Sequence, residues 1–396
     1  MAITDKEKGV WGLDQVYNKI NQGSIWEYSG ASQLWAWGQT NDYGALGQNN
    51  RTNYNSPVQV GSLSTWSTLG GGNASAFEIY GSINTSGELF VWGRNNDGQL
   101  AQNDTVSRSS PVQIPGTTWA HVQIRHNDGM MAAKTDGTLW TWGFNEDGGF
   151  GIPSYSNDVK ISSPVQIPGT TWSTNPNHYA TGSAGRCWAI KTDGTLWAWG
   201  RDNYGRLGLN RPSPTSSILY SSPVQITTET NWTYVASAPG NTSVINTSGE
   251  LFVWGDNYYA ELGLNTQGSY VSSPTQIPGS TWSKSSLGQT SSYAIKTDGT
   301  LWAWGENQNG GQLGQNNRTD YSSPVQIPGT TWNILSRGGN SQMHAIKTDG
   351  TMWAWGYNNG QLGLGDNNFR SSPTQVPGTW SDLRASNDST WAMKVL

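Results

Sequence analysis

Several features that stabilise or direct other classes of protein are scarce in this chain of 396 residues. Its single cysteine, Cys187, excludes an internal disulfide, so the fold does not depend on an oxidising compartment. Mean hydropathy is −0.58, and no apolar run approaches the roughly 18 residues of a membrane-spanning helix. The first residues also lack the apolar stretch of a secretory signal peptide. We therefore expect no membrane association.

Charged side chains are few as well. They make up 12% of the chain, with a formal net charge of −5 and no block of like charge. Proteins that bind nucleic acid through phosphate contacts usually carry a basic face. We therefore expect no nucleic-acid partner.

Glycine and tryptophan, in contrast, are abundant, with 50 and 23 copies against only 6 phenylalanines. Glycine, Thr, Ser, Asn and Trp are common where long helices would need Ala, Leu, Glu and Lys. A disordered chain would not leave so many aromatic side chains in water. This composition predicts a turn-rich β protein.

Three sequence marks each recur seven times in the same order, and the steps between successive Trp-Gly dipeptides of the repeats are 50 to 57 residues. The first mark is a Trp-Gly dipeptide, with its glycine at Gly38, Gly93, Gly143, Gly200, Gly255, Gly305 and Gly356. The second is Ser-Pro followed by Val or Thr and then Gln, with its proline at Pro57, Pro111, Pro164, Pro223, Pro274, Pro324 and Pro373. The third is a tryptophan that closes each unit, at Trp66, Trp119, Trp172, Trp232, Trp282, Trp332 and Trp380. A fixed period of this size is typical of repeat architectures.

One repeat, over residues 189–232, shows the predicted strand pattern. A short strand, an Asp193-Gly194 hairpin turn and the strand 195–199 come first, since Asp-Gly supplies the positive φ of a tight turn. Residues 222–226 form a third strand, and the segment that ends at Trp232 forms a fourth. Seven such units predict an all-β, seven-bladed β-propeller over residues 31–396.

The two chain ends predict how the ring closes. Residues 391–396 resemble the first strand of a repeat, whereas the first repeat begins without that strand at residues 33–37. We expect these two segments to pair within one blade, because pairing hides the strand edges that a linear array would expose. The propeller would then be closed by its N- and C-terminal strands.

The stretch from Asp193-Gly-Thr-Leu-Trp-Ala-Trp-Gly200 to Leu207-Gly208 resembles the regulator of chromosome condensation repeat, and the likeness extends over about residues 31–396. The resemblance implies a β-propeller that binds partners. That family often carries a Cys-Gly-x-x-His motif before the first strand, whereas this chain has Ala184-Gly-Arg-Cys187, which indicates a divergent bacterial or phage type. Nucleotide exchange on a small GTPase, the best-known activity of the family, needs a basic tail that is absent here. A bacterial β-lactamase inhibitor of the family binds its target through one loop face.

No residue pattern in the sequence predicts catalysis. The four histidines lack metal-ligand spacing, Cys187 has no evident base nearby, and the carboxylates before hairpin glycines fit turn chemistry. The loops at residues 95–98 and 145–148 hold several oxygen ligands but lack the spacing of a calcium loop. We predict a protein that is not an enzyme, with no catalytic residues, no metal site and no cofactor.

The positions that follow each Trp-Gly vary from repeat to repeat and are candidates for a partner-binding face. Loops on a rigid scaffold often carry function, and Tyr and Arg are typical of binding hot spots. The predicted face comprises Arg94, Phe144, Arg201, Asp256, Glu306 and Tyr357, with Tyr204 and Tyr258 in the adjoining loops. The alternative is that these residues only solvate the loops. The long loops 152–160 and 209–220 are a second candidate surface.

The first thirty residues differ from the repeats and predict a separate docking peptide. Apolar residues lie at helical spacing in a segment too short to be a stable helix alone in water. The residues of this docking segment are Trp11, Leu13, Val16, Tyr17, Ile20 and Trp26. The segment either docks on its own propeller or binds another protein or a second copy of the chain. It resembles short anchor peptides on structural proteins of marine tailed phages.

These observations favour a non-enzymatic phage virion appendage or decoration protein, assembled in the host cytoplasm. Residues 1–30 would attach it to another virion or assembly protein, and the loop face would meet a host-surface protein or glycan. The alternative is a bacterial cytoplasmic scaffold that mediates protein interactions.

Overall fold

The computed structural model describes residues 32–39, 41–71, 78–126, 129–211, 217–336, 339 and 341–395. Residues 1–31 lie outside this part of the chain, so the predicted docking peptide and the boundary at residue 30 remain predictions. The described residues form 28 β-strands and two single-turn 3-10 helices, Glu146–Gly148 and Pro176–His178.

The strands, numbered in chain order, fall into sets of four. The first set along the ring is β27 (Asp382–Ala385), β28 (Ser389–Val395), β1 (Ser32–Gly38) and β2 (Tyr54–Gln59). The next two sets are β3 (Trp66–Leu69), β4 (Ile79–Asn84), β5 (Leu89–Gly93), β6 (Arg108–Ile114), and β7 (Trp119–Arg125), β8 (Gly129–Lys134), β9 (Leu139–Phe144), β10 (Lys160–Ile167). They are followed by β11 (Tyr179–Thr181), β12 (Cys187–Ile190), β13 (Leu196–Asp202), β14 (Ile218–Gln225), and by β15 (Trp232–Ser237), β16 (Asn241–Asn246), β17 (Leu251–Gly255), β18 (Val271–Ile277). The remaining sets are β19 (Trp282–Leu287), β20 (Ser291–Lys296), β21 (Leu301–Gly305), β22 (Tyr321–Ile327), and β23 (Trp332–Leu335), β24 (Gln342–Lys347), β25 (Thr351–Gly356), β26 (Arg370–Thr379).

These sets form five antiparallel four-stranded sheets and one eight-stranded sheet. The eight-stranded sheet contains two sets, which a single register pair, Ser32 with Trp66, joins. The first strands of successive sets contact one another in the cyclic order β3, β7, β11, β15, β19, β23, β27 and back to β3. The described strands therefore form a closed β-propeller, as the sequence predicts; the number of seven blades rests on the seven sequence repeats.

The chain ends close the ring as predicted. Strand β28 pairs with β1 from Ser32 opposite Val395 to Gly38 opposite Ser389, and on its other side it pairs with β27. The pairing leaves no free strand edge between the first and last repeats, and free edges are where β proteins recruit unwanted partners.

In each of the seven repeats the tryptophan of the Trp-Gly dipeptide is buried and ties its repeat to the one before it in the ring. Its indole Nε1 donates a hydrogen bond of 2.8–3.0 Å to the backbone carbonyl that precedes the Leu or Phe of the neighbouring loop. The donor and acceptor pairs are Trp37–Gln361, Trp92–Ala45, Trp142–Gln99, Trp199–Gly149, Trp254–Arg206, Trp304–Glu261 and Trp355–Gln312. A buried indole needs such an acceptor, so burial and inter-repeat contact come from the same side chain.

In six of the seven repeats, a glycine beside this contact makes room for the indole. Gly263, for example, has a φ of +67°, and a Cβ there would lie 2.7 Å from Nε1 of Trp304. Only glycine meets both conditions easily. This requirement explains part of the glycine excess in the sequence.

An asparagine two or three residues after each Trp-Gly organises its loop in six of the repeats. Asn95 is typical, since its Oδ1 accepts the backbone N–H of Leu100 at 2.8 Å. In the fourth repeat Asn203 follows Trp-Gly at a similar distance but does not have this role. Asp202 lies at the equivalent position and accepts the N–H of Leu207 at 3.2 Å. Asn203 is therefore available for other contacts.

Deleting residues 391–396 is expected to abolish cooperative folding, because most of β28 would be lost and β1 and β27 would lose their shared partner. Thermal unfolding followed by near-UV circular dichroism measures this effect. A variant that lacks only residue 396 keeps every register pair between β1 and β28 and is the control. A cooperative transition at the wild-type temperature in the longer deletion would contradict closure by strand exchange.

Candidate partner-binding face

Strand direction brings two groups of loops to one face of the propeller. In an antiparallel sheet the end of the first strand and the end of the third strand lie at the same edge. Register confirms this, since Asn241 at the start of β16 faces Gly255 at the end of β17. We call this side, formed by the loops after each Trp-Gly and the connections between the first and second strands, the loop face.

The structure places three of the predicted face residues in ion pairs between neighbouring loops. Arg94 contacts Glu78 at 2.8 Å, and the Nε of Arg201 donates to Asp147 at 2.7 Å. Asp256 accepts two hydrogen bonds from Arg206, at 2.9 and 2.7 Å. These residues, expected to be free of structural roles, thus also connect successive loops.

The predicted residues Phe144, Glu306 and Tyr357 are distributed around the ring rather than gathered in one place. Phe144 is half-buried with the ammonium of Lys160 5.7 Å from its ring, and Glu306 accepts a hydrogen bond of 3.1 Å from Asn309. Tyr357 is exposed and packs on Phe369 with ring centroids 4.7 Å apart. The six positions after Trp-Gly therefore do not form one continuous patch.

The two predicted loop tyrosines do come together. Tyr204 stacks on Tyr270 with ring centroids 4.5 Å apart. Tyr258 packs edge-on against the same Tyr270 ring, and their hydroxyls are hydrogen-bonded. Tyr270, which the sequence analysis missed, joins the loops of the fourth and fifth repeats.

Beside this cluster, a cavity of about 270 Å³ opens between the fourth and fifth repeats. It contains the predicted Asp256 and Tyr258, and three charged residues that the sequence analysis missed: Arg186, Arg206 and Glu261. The remaining lining residues are Ser183, Ala184, Asn203, Pro239, Gly240, Tyr259, Gln289 and Thr290. Tyr258 and Tyr259 stay 45% and 49% exposed, so they form an open rim.

Arg186 is the least ordinary group in the cavity, because it is only 2% exposed and yet forms no ion pair among the described residues, although the nearby charges of Asp256, Asp202 and Glu146 favour its cationic form. Its guanidinium donates to the carbonyl of Pro239 and, at 3.3 Å, to Oδ1 of Asn203. Its Nε has no hydrogen-bond acceptor among the described residues. Burial, and then the nearby charge of Arg206, lower the pKa of Arg186 to about 9. The cationic form is thus disfavoured by its surroundings.

Arg206 and Asp256 form a second, fully paired element of the cavity. Asp256 also lies against the backbone, where a Cβ on Gly240 would come within 2.3 Å of its Oδ2. Asn203 Oδ1 lies 3.5 Å from Arg206 as well as 3.3 Å from Arg186, so one neutral acceptor serves two cations. Of the two arginines and two carboxyl groups that line the cavity, Arg206 and Asp256 thus pair with each other.

Glu261 is buried on the other side of the cavity. Its Oε2 accepts the backbone N–H of Tyr259 at 2.7 Å, and it is 2% exposed. Burial raises the pKa of Glu261 to about 7, against the opposing effect of backbone hydrogen bonds. This carboxyl group is therefore close to half-protonated at neutral pH.

Comparison of equivalent positions in the repeats shows that these charges are not needed by the fold. Arg206 and Glu261 lie at the position before the loop Leu or Phe, where the other repeats have Ala45, Gln99, Gly149, Gln312 and Gln361. Arg186 lies where the others have Ile79, Gly129, Asn241, Ser291, Gln342 and Ser389. The sequence analysis compared only the position after Trp-Gly. The same comparison at these two positions would have found the site.

The residues weighed for catalysis have structural surroundings. His344 and Cys187 are fully buried, and burial lowers the pKa of His344 to about 4. Asp193 accepts hydrogen bonds from the backbone and hydroxyl of Thr195, as turn chemistry requires. Within the described ranges no group of three metal-ligating side chains was found, and no helix there is long and apolar enough to cross a membrane.

The second candidate surface is described only in part. Ile218 and Leu219 at its edge are each 40% exposed, whereas residues 212–216 lie outside the described part of the chain, as does the whole docking segment.

Fold and site together define a β-propeller whose loop face carries a charged, tyrosine-rimmed cavity. Comparison with known families identifies which propeller this is. Residues 32–75, 86–123, 193–245, 248–295, 298–335 and 349–390 match the Regulator of chromosome condensation (RCC1) repeat. The chain therefore belongs to the RCC1 repeat family.

Similar proteins come from several eukaryotes. The Ultraviolet-B receptor UVR8 of Arabidopsis thaliana is 27% identical over 183 residues, which are 45% of this chain and 40% of that receptor. The chain thus matches less than half the length of this relative. Human WBSCR16 has a structure with a TM-score of 0.79 at 19% identity, covering 92% of this chain and 99% of the other. Prp20p of Saccharomyces cerevisiae, described with its binding to Gsp1p and histones, gives 0.75 at 16% identity, covering 93% and 92%. At these identities the structures show a shared fold.

Replacing Arg186 with Gln is expected to raise the melting temperature by about 2–5 °C. Gln342, at the equivalent position, donates to the carbonyls of Ser386 and Asn387 at 2.6 Å, so glutamine can bond the next loop there without a charge. Because the pKa of Arg186 is lower in the folded state than in the unfolded chain, its charge destabilises the fold at neutral pH. The difference between variant and wild type should shrink as the pH rises through about 9. Differential scanning calorimetry between pH 7 and 10 measures both effects.

The reverse substitution, Gln342→Arg, is the matched control and should lower the melting temperature, since it buries an unpaired cation in the equivalent place. A lower melting temperature for Arg186→Gln would show instead that Arg186 stabilises the fold.

Proposed function

We propose that this chain is a non-enzymatic binding propeller, which holds a protein partner at the loop face between its fourth and fifth repeats. The observation that carries the proposal is the set of charges there, Arg186, Arg206 and Glu261, at positions where the other repeats have neutral residues. Natural proteins retain destabilising groups where function needs them.

The surroundings of the cavity support the same proposal. Tyrosine and arginine are enriched at the energetic centres of protein interfaces, and here two exposed tyrosines border a cavity that holds two arginines. The Tyr204, Tyr258 and Tyr270 cluster and the Arg206–Asp256 pair fix the two loops relative to each other. Such preorganisation reduces the entropy lost on binding.

A photo-crosslinking amino acid at position 258 tests this proposal in the native host cells. We expect a defined protein adduct at position 258, and no such adduct from position 298, a hairpin turn on the opposite face. Excess unlabelled wild-type protein should compete for the adduct, whereas the Tyr258→Ser, Tyr259→Ser variant should compete at least about tenfold less well. Equal competition by both proteins, or the same adduct from both faces, would refute binding at this face.

We further propose that residues 1–30 attach the propeller to a larger assembly, as in a phage virion appendage or decoration protein that meets a host-surface protein or glycan. The support is the apolar stripe of Leu13, Val16, Tyr17 and Ile20, which needs a surface to cover it. A cytoplasmic scaffold whose N-terminal segment docks on its own ring is the alternative.

Deleting residues 1–28 distinguishes these two proposals. An anchor should be removable with no change of the propeller's melting temperature, while co-sedimentation with particles, or self-association in analytical ultracentrifugation, is lost. Unchanged association would contradict the anchor. A loss of cooperative unfolding would favour docking on the propeller itself.

A further inference from the structure

Arg186 presents an unsatisfied positive charge to an open cavity. A buried guanidinium is normally paired with a carboxylate or phosphate, because burial without a counter-charge is strongly unfavourable. The ion pairs of the cavity join Arg206 to Asp256 and do not include Arg186. Its acceptors among the described residues are one backbone carbonyl and one amide oxygen shared with Arg206, and its Nε has no acceptor there.

We propose that the cavity between the fourth and fifth repeats binds the carboxylate of an acidic side chain of the partner, with Arg186 as its counter-charge. This inference names the chemistry of the proposed binding face and rests on it. A planar guanidinium matches a carboxylate in shape and can donate two parallel hydrogen bonds. The cavity volume of about 270 Å³ is suited to the end of one side chain.

The other charges of the cavity favour a carboxylate over a phosphate. Asp256 and Glu261 are both near the site, and a phosphate dianion would be repelled by two carboxyl groups more strongly than a monoanion. A protonated Glu261, in contrast, can donate a hydrogen bond to a carboxylate ligand. The site therefore favours a carboxylate over a phosphate by the charge of the ligand as well as by its shape.

The tyrosines favour a peptide over an acidic sugar. Sugars stack on free aromatic faces, but Tyr204 and Tyr270 stack on each other, and Tyr258 is fixed edge-on against Tyr270. The rim instead exposes the ring edges and hydroxyls of Tyr258 and Tyr259. These suit the backbone and neighbouring side chains of a peptide.

Isothermal titration calorimetry with the α-methylamide of N-acetylglutamate, whose only charge is its side-chain carboxylate, tests the inference on the full chain. We expect a dissociation constant on the order of 1 mM for so small a ligand, with at least about tenfold weaker binding of the corresponding glutamine derivative, which is neutral. Arg186→Gln should abolish binding while the protein stays folded. Gln342→Arg should not create a second site, since Gln361 and Ala45 lie there at the positions that correspond to Arg206 and Glu261.

Protonation of Glu261 gives the binding a pH dependence. The groups that share the cavity with it are Asp256, Arg206 and Arg186, besides the phenols of Tyr258 and Tyr259. Binding should weaken severalfold between pH 6 and 8.5 in the wild type. The Glu261→Gln variant has the residue that the second repeat has at the equivalent position, Gln99, whose Oε1 accepts the N–H of Asp97 in the same way. This variant should bind equally well at both pH values.

Several results would overturn the inference. Equal affinity for the neutral glutamine derivative, or retained binding in Arg186→Gln, would show that the guanidinium does not hold a carboxylate. Tighter binding of inorganic phosphate or glucuronate would assign the cavity to another ligand. A crosslinked partner at position 258 whose binding is unchanged by Arg186→Gln would keep the binding face but refute the carboxylate, so the two proposals can fail separately.

Discussion

The hydrogen bond from each Trp-Gly indole to the preceding repeat is the interaction on which the rest of this propeller depends. A single strand set cannot bury both of its faces, and the indole both fills the gap between two sets and satisfies its own N–H there. The bond from Trp37 to Gln361 does this across the junction of the chain ends. Strand pairing between β1 and β28 reinforces that junction, and the same indole contact occurs at every other boundary. Strand pairing contributes little there, as in the single register pair of Ser32 with Trp66.

This constraint also explains how the candidate site can be both rigid and variable. The carbonyls that accept the indoles of Trp254 and Trp304 belong to Arg206 and Glu261. The backbone at these positions is fixed by the ring, whereas their side chains have no part in the contact. Charges can therefore be placed there without loss of the fold. Arg186 occupies another such position, where a neutral side chain bonds the next loop equally well in Gln342. Variation at fixed backbone positions is how repeat proteins commonly build binding surfaces.

Much of the fold could be predicted from the sequence because it is repeated. Seven copies of Trp-Gly and the missing strand of the first repeat give the propeller and its closure, since strand and turn preferences act locally. The site was predicted only in part. Asp256 and Tyr258 line the cavity, but Arg94, Phe144 and Tyr357 lie elsewhere on the ring, and Arg186, Arg206, Glu261 and Tyr270 were missed. The sequence also does not reveal that Asp202, rather than the adjacent Asn203, organises the loop of the fourth repeat.

The sequence by itself determined the architecture of this RCC1-family propeller, since the pattern that specifies each repeat lies within about fifty residues of chain. Only the tertiary structure decided which variable residues meet. Arg186 and Asp256 are seventy residues apart in sequence, and they share a cavity because the second strand of one repeat packs beside the loop of the next. Whether a charged side chain is paired or left without a partner depends on that packing, so no local sequence pattern predicts it. The many tryptophans and glycines thus stabilise the scaffold, whereas a few charged residues form the candidate binding site.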